Sequence, residues 1–361
     1  MKKISLFLFF LVIFSSCSND DEANNEENSN NEVISDNNSN PEISDLEPIE
    51  PQEQPPEEVG TRPVGSSFCG PFETSEPIKL VGMDNITISG LVIANAESHC
   101  IEISNCNNVI IENCKLGSAV GSGIHIFNST NITIRQCSIS NVQRGVNAVQ
   151  SSGISVTNND VINVQGPANP GGQMVQFNNV TGPGNEINFN VSENFLGESD
   201  PEDVINMFQT TGTVLDPVQI KGNWIRGGGP SPSGGGILVG DVGGANFIVE
   251  DNILVNPGQY GISVVSGMNS KVLRNKIFGK QQSFTNVGIA VWNAYDPEHE
   301  CTDVTVSGNE VSWINRDGIV NPLYNSMECG IVTDIDNNIW RAAIDETILP
   351  VQMTLECISF P

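Results

Sequence analysis

Gly123-Ile124-His125-Ile126, followed by Asn131-Ile132-Thr133-Ile134-Arg135-Gln136-Cys137-Ser138-Ile139, is the stretch that decides the fold. A glycine leads a short alternating strand. A turn follows, then a second alternating strand, a small polar residue and an apolar one. Alternation with period two marks strands. The ending of the second strand recurs as Ile111-Glu112-Asn113-Cys114, Val156-Thr157-Asn158-Asn159, Val191-Ser192-Glu193-Asn194, Ile220-Lys221-Gly222-Asn223, Val249-Glu250-Asp251-Asn252, Val272-Leu273-Arg274-Asn275 and Val306-Ser307-Gly308-Asn309.

These endings define one ladder position: Leu91, Cys114, Cys137, Asn159, Asn194, Asn223, Asn252, Asn275 and Asn309. Its shortest intervals are 22 and 23 residues. That period leaves room for three short strands, one coil of a parallel β-helix. Stacked asparagines at an inward turn can satisfy one another and the backbone along the column. The expectation is all-β: a right-handed, single-stranded parallel β-helix of about nine to ten coils, nine of them rising ~43 Å at ~4.8 Å each.

The pattern resembles the right-handed parallel β-helix repeat of the pectate-lyase-like superfamily, over roughly residues 80–340. That superfamily holds polysaccharide lyases, glycoside hydrolases, epimerases, esterases and non-catalytic adhesins, so the resemblance implies a fold more than a reaction. In the resembling enzymes a polysaccharide lies along the first, glycine-led sheet. The motifs of the best-known members are missing. There is no Asn-Thr-Asp with a paired Asp-Asp and Gly-His-Gly, and no Asp cluster with a following Arg-x-Pro-x-x-Arg.

Outward of the repeat the chain changes character. Met1-Lys2-Lys3 precedes a nine-residue apolar run, Leu6 to Phe14, too short to span a bilayer. Phe14-Ser15-Ser16-Cys17 resembles a bacterial lipobox, which makes residues 1–16 a lipoprotein signal peptide and Cys17 the lipidated residue. An ordinary cleaved signal with an incidental cysteine is the alternative. Ser18-Asn19-Asp20-Asp21-Glu22 resembles the surface-export signal of Bacteroidetes lipoproteins. Asp20 to Glu58 holds 14 acidic residues and no basic one. Residues 17–65 therefore read as a disordered acidic tether, and 66–361 as the β-helix domain. The expected location is the cell surface, on the outer membrane, held through the lipid anchor alone.

The formal net charge is −28, from 43 acidic and 15 basic side chains. That sign argues against a nucleic-acid partner, which needs Lys and Arg to neutralise phosphates. A monomer is expected. Eight cysteines remain beyond Cys17 in an exported, disulfide-permissive chain. Cys114 and Cys137 share the ladder position and should stack inside as thiols. Cys301 with Cys329 is a plausible bridge, and Cys69 with Cys357 can staple the ends. No Cys-x-x-Cys occurs, so no structural zinc is expected.

Long departures from the base period point to loops that flank the first sheet, where binding residues concentrate. The outward row along that sheet reads Glu102, His125, Asn147, Gln176, Asn206, Leu238, Ser263 and Ala290. Asp200-Pro201-Glu202-Asp203 enters the strand of Asn206. Glu202 and Asp203 can act as acid and base, or hold Ca²⁺ against a uronate; a plain charged turn is the alternative. Arg226 and Arg144 can neutralise a substrate carboxylate. His125 is a candidate general base or an exposed rung. The catalytic candidates are thus Glu202, Asp203, Arg226 and His125. The substrate-binding candidates are Asn206, Asp241, Gln259, Tyr260, Lys280, Gln282 and Trp292, whose amides and rings suit sugars; Trp292 can instead cap the column. The groove is expected over Asn206. The leading expectation is a surface enzyme, lyase or hydrolase, on a uronate-containing polysaccharide. A non-catalytic glycan-binding or adhesive protein is the alternative.

Overall fold

The computed structural model describes residues 70–167 and 171–353. Its strands pair side by side in parallel throughout, each with the strand one coil above or below. Among the described residues the one helical element is a short 3₁₀ turn, Glu346–Ile348. No helix there is long and apolar enough to cross a membrane.

Each coil contributes a strand to three sheets. The first sheet includes Ile101–Ser104, Val175–Asn178, Ile205–Thr211, Tyr260–Val264 and Val287–Val291. The second includes Thr130–Arg135 and Val218–Lys221. The third includes Val191–Glu193, Trp224–Arg226 and Lys276–Gly279. Inward residues of the first sheet alternate with the outward row: Ile101 and Ile103, Ile124 and Ile126, Ile205 and Met207, Ile262 and Val264 are all fully buried. They belong to one continuous apolar core running along the column. Burying such side chains is the main stabilising term, about 1.5–3 kcal/mol each.

The glycine before the first-sheet strand has a steric reason. A Cβ at Gly145 would lie 2.3 Å from Met174 O, and one at Gly261 would lie 2.5 Å from Gly288 O. At this corner the backbones of neighbouring coils approach too closely for any side chain.

The polar ladder is present, with one change of register. Asn159, Asn190, Asn223, Asn252, Asn275, Asn309 and Asn338 each accept, through Oδ1, the backbone N–H of the ladder residue one coil below. From Asn159 to Asn309 each also donates its amide to the next Oδ1. Asn190 stands where the sequence reading put Asn194. Ile187-Asn188-Phe189-Asn190 closes the second sheet, whereas Val191–Glu193 already belongs to the third. Two alternating segments follow each other directly there, so the repeat's spacing alone does not separate the second-sheet strand from the third. Asn194 accepts from Val164 N one corner later.

Cys114 and Cys137 are buried free thiols in the ladder, and Cys100 and Cys106 are buried and free as well. Cys301 and Cys329 form a disulfide. The leader, Cys17, the tether, Cys69 and Cys357 lie outside the described residues.

Candidate functional site

The first sheet's outward row runs in register from Lys79 through Glu102, His125, Asn147, Gln176, Asn206, Leu238, Ser263 and Ala290 to Tyr324. Over its middle and upper part lie two adjoining cavities of about 470 and 480 Å³, which share Ser233, Leu238 and Tyr295. Both fall in the usual range for ligand sites, about 300–1,000 Å³.

The lower cavity has a carboxylate floor. Asn206 is buried on it and donates one amide nitrogen to two carboxylates, Asp203 Oδ2 at 2.8 Å and Asp241 Oδ2 at 3.0 Å. Its own Oδ1 accepts from Gln176 Nε2 at 3.0 Å. Asp203 Oδ1 accepts from Gly235 N at 2.9 Å and from the Tyr260 hydroxyl. Asp241 Oδ1 accepts from the Tyr295 hydroxyl. Glu202 Oε2 accepts from Gln173 Nε2 at 3.1 Å, and Gln173 Oε1 in turn accepts from Arg144 Nε at 3.1 Å.

Two glycine loops make this crowding tolerable. Gly171 adopts φ +103°, and a Cβ there would lie 3.1 Å from Glu202 Oε2. A Cβ at Gly234 would fall 2.1 Å from the Glu202 carbonyl. The Gly227–Gly236 run therefore brings backbone against the acid pair. Asp241 reaches the floor through a bulge. The strand Ile237–Glu250 slips register against Ile205–Thr211 on both sides of Phe208, which pairs with Asp241. Bulges re-aim side chains in this way.

Burial raises Glu202 to about 7, and the charges of Asp203 and Asp241 add to that; Arg144 and Ser233 oppose it. Burial likewise raises Asp203 to about 6, against hydrogen bonds from Tyr260, Asn206 and Gly235 that favour its ionised form. Near neutral pH, Glu202 is therefore poised between holding and releasing a proton. Perturbed carboxyls of this kind mark functional sites.

Each carboxylate oxygen of Asp203 and Asp241 accepts a hydrogen bond from a neighbouring side chain or backbone group. Among the described residues no group of three or more acidic, His or Cys side chains could hold a metal ion.

The upper cavity is lined by Tyr260, Tyr295, Trp292, Tyr324, Leu238, Gln259 and neighbours. Its floor is shallow-chained, because the outward row there is Ser263 and Ala290. Trp292 is 37% exposed and Tyr324 is 51% exposed. The structure thus brings Glu202, Asp203, Asn206, Asp241, Gln259, Tyr260 and Trp292 into one groove.

Four candidates lie elsewhere. Arg226 ends a third-sheet strand, pairs with Glu193 at 2.9 Å and donates to the carbonyls of Pro350 and Val351. It fastens the C-terminal segment, whose Leu349 and Met353 pack beside Trp224. Lys280 follows another third-sheet strand and faces Glu346 at 3.7 Å. Gln282 lines neither cavity; its backbone N–H donates to Thr285 Oγ1 at 3.1 Å. His125 stays on the row, but three rungs below Asn206. It stacks on His99 with centroids 4.6 Å apart and contacts Asn147 Nδ2 at 3.2 Å. Burial lowers its pKa, as it does for His99.

Gln173, Tyr295, Ser233 and Tyr324 were not singled out from sequence. Tyr295 lies in one of the long departures from the base period, residues 293–303, where an aromatic residue is itself a signal. Tyr324 continues the outward row 34 residues after Ala290.

A model of the family described as "Right handed beta helix region" matches residues 78–277. A search of curated proteins finds no match. Solved structures with a similar chain course include the catalytic domain of a GH87 α-1,3-glucanase in complex with nigerose, at 15% identity and TM-score 0.41, covering 75% of this chain and 62% of that one. The Dettilon tailspike protein is similar at 12% identity and TM-score 0.41, with coverages of 74% and 62%. Pectate lyase Pel9A is similar at 11% identity and TM-score 0.24, with coverages of 74% and 66%. The chain spans 50–64% of the length of the glucanase structures it matches. At such identities no residue role is carried across.

Proposed function

The chain belongs to the right-handed beta helix family, a scaffold that hosts many reactions, and we propose from the groove itself that it binds a polysaccharide and hydrolyses its glycosidic bonds. One observation carries this reading. Asp203 and Asp241 meet at Asn206 on the cavity floor, Glu202 lines the same cavity, and burial lifts its pKa to about 7.

Glycoside hydrolysis needs one protonated carboxyl and one ionised carboxylate. Glu202 gives its proton to the leaving glycosidic oxygen as the C–O bond breaks. Water adds to the anomeric carbon and passes a proton to Asp241. Bulk water then restores both groups. Asp203 is buried and triply hydrogen-bonded, so it holds Asn206 and the floor rather than meeting the sugar. Elimination from a uronate would instead need a cation against the substrate carboxylate. Arg144 is already engaged with Gln173 and Gln143 and set against Glu202. A binding-only role is the second reading, favoured by the aromatic upper cavity.

A panel of polysaccharides assayed for new reducing ends and for absorbance at about 232 nm separates the readings. Hydrolysis yields reducing ends without the absorbance. Both signals together mean elimination, and binding without either means a carbohydrate-binding column.

We also propose that the protein is a Bacteroidetes-type surface lipoprotein, held at the outer membrane by lipidated Cys17 and spaced from it by the acidic tether. Cys17→Ala should move the protein from the detergent-extracted membrane fraction to the soluble one. Retention at the membrane would refute lipidation.

A further inference from the structure

The groove is divided lengthwise by charge. The lower cavity holds three carboxyl groups and one guanidinium, Glu202, Asp203, Asp241 and Arg144. Among the described residues lining the upper cavity there is no Asp, Glu, Lys, Arg or His. Its walls are the rings of Tyr260, Trp292, Tyr295 and Tyr324, with Gln259 and Asn286 among them. The two cationic candidates that would have met an acidic sugar, Arg226 and Lys280, instead pair with Glu193 and Glu346.

We infer that the upper cavity is a binding subsite for uncharged sugar rings, and that the chain taken by the whole groove is a neutral polysaccharide rather than a uronan. This deepens the glycan-hydrolysis reading and rests on it. A uronan carries a carboxylate on every ring. In the upper cavity that charge would lose water and find no cation, which is costly. In the lower cavity it would meet three acids and one arginine that already faces Glu202. A neutral chain meets neither penalty. Its apolar ring faces lie on the aromatic side chains, and its hydroxyls meet amides that both donate and accept.

The floor supports the same assignment. Ser263 and Ala290 replace the longer Gln176 and Asn206 of the lower rungs, which leaves depth between Trp292, Tyr295 and Tyr324. Coils rise about 4.8 Å each, so the cavity spans several rungs. The Tyr295 hydroxyl bonds to Asp241, so the subsite and the carboxylate floor share a wall. A ring seated above is thereby in line with the acids below.

The test uses the full chain carrying Glu202→Gln, so that bound polymer is not consumed. Binding is followed by isothermal titration calorimetry with laminarin, soluble starch, xylan and galactomannan, and with polygalacturonate and alginate. Each titration is run at about 20 mM and about 500 mM salt, which changes screening several-fold. At least one neutral polymer should bind with affinity that salt leaves within about twofold, and neither uronan should. Trp292→Ala and Tyr324→Ala, at exposed positions, should each weaken that binding by about tenfold or more. A uronan that binds while the neutral polymers fail overturns the inference and leaves the glycan reading standing. So does neutral binding that both aromatic variants preserve. If no polymer of either class binds, the groove is not a glycan site and both readings fall.

Discussion

Asn223 in the ladder and Asn206 on the groove floor are the same residue type, both buried, with different surroundings. Asn223 is enclosed on all sides by its own kind. It accepts from Asn190 N, donates to Ile187 O at 2.8 Å and to Asn252 Oδ1 at 2.9 Å, and repeats a pattern found in coil after coil. Asn206 donates one nitrogen to two acids and accepts from a single glutamine. The ladder closes its hydrogen bonds within the repeat, so it lends stability and no chemistry. The floor gathers like charges at one point, which costs stability and gives a proton that can move. Breaking each region in turn should therefore give opposite phenotypes.

The largest effect expected is on the floor. Glu202→Gln keeps shape and hydrogen bonding but cannot supply a proton. Glycan turnover should fall by about 10²–10⁴-fold, the usual worth of an acid catalyst, with the melting temperature held or raised. The pH dependence follows from the same group. Burial lifts Glu202 from 4.5 to about 7 and Asp203 from 3.8 to about 6. The folded chain thus binds these protons more tightly than the unfolded one. Stability from them is complete below pH ~4 and is lost as pH rises through about 6 and 7. Wild-type turnover should fall along a basic limb near pH 7, and that limb should be absent from residual Glu202→Gln activity. Full turnover in the variant would remove Glu202 from the reaction.

What could be read from sequence divides along the same line. The ladder and the outward row are products of strict alternation and a near-constant period, so local counting reached Asn223, Asn252 and the whole series from Glu102 to Ala290. The periodicity misleads where two alternating segments adjoin without a turn signal, and there Asn190, not Asn194, holds the ladder position. The carboxylates Glu202 and Asp203 stood out as an acidic entry to a first-sheet strand. Their surroundings did not, because they depend on departures from the repeat: the bulge that turns Asp241 inward and the glycine loops that press on Glu202. Arg226 looked like a groove residue because it precedes a glycine-rich loop. Two of its partners, the carbonyls of Pro350 and Val351, lie more than 120 positions away, which no local pattern contains.

The next effect in size belongs to the ladder. Asn223→Leu leaves Asn190 N and Ile187 O without their side-chain partner, while Asn252 Oδ1 keeps the Asn223 backbone N–H. Each orphaned buried group costs about 1–3 kcal/mol. The melting temperature should fall clearly in a thermal scan, while turnover per folded molecule stays near wild type. A melting curve that overlays wild type would mean the ladder bonds contribute nothing net.

The smallest effect expected is at Arg226, and it separates the two regions most directly. Its guanidinium is partly buried, pairs with Glu193 and holds two carbonyls of the C-terminal segment. Arg226→Ala leaves Glu193, itself mostly buried, beside a gap, and loosens Leu349 and Met353 from Trp224. Partial exposure screens the pair, so a loss of about 1–2 kcal/mol is expected, below that of a fully buried one. Protease cleavage near residue 350 should speed up correspondingly. Turnover should not change, because Arg226 lines neither cavity and, among the described residues, no hydrogen bond joins it to the floor. A drop in kcat with unchanged melting would show that the charge of Arg226 acts on the groove through the column. The division between a closed, stabilising column and an open, reactive floor would then fail at that residue.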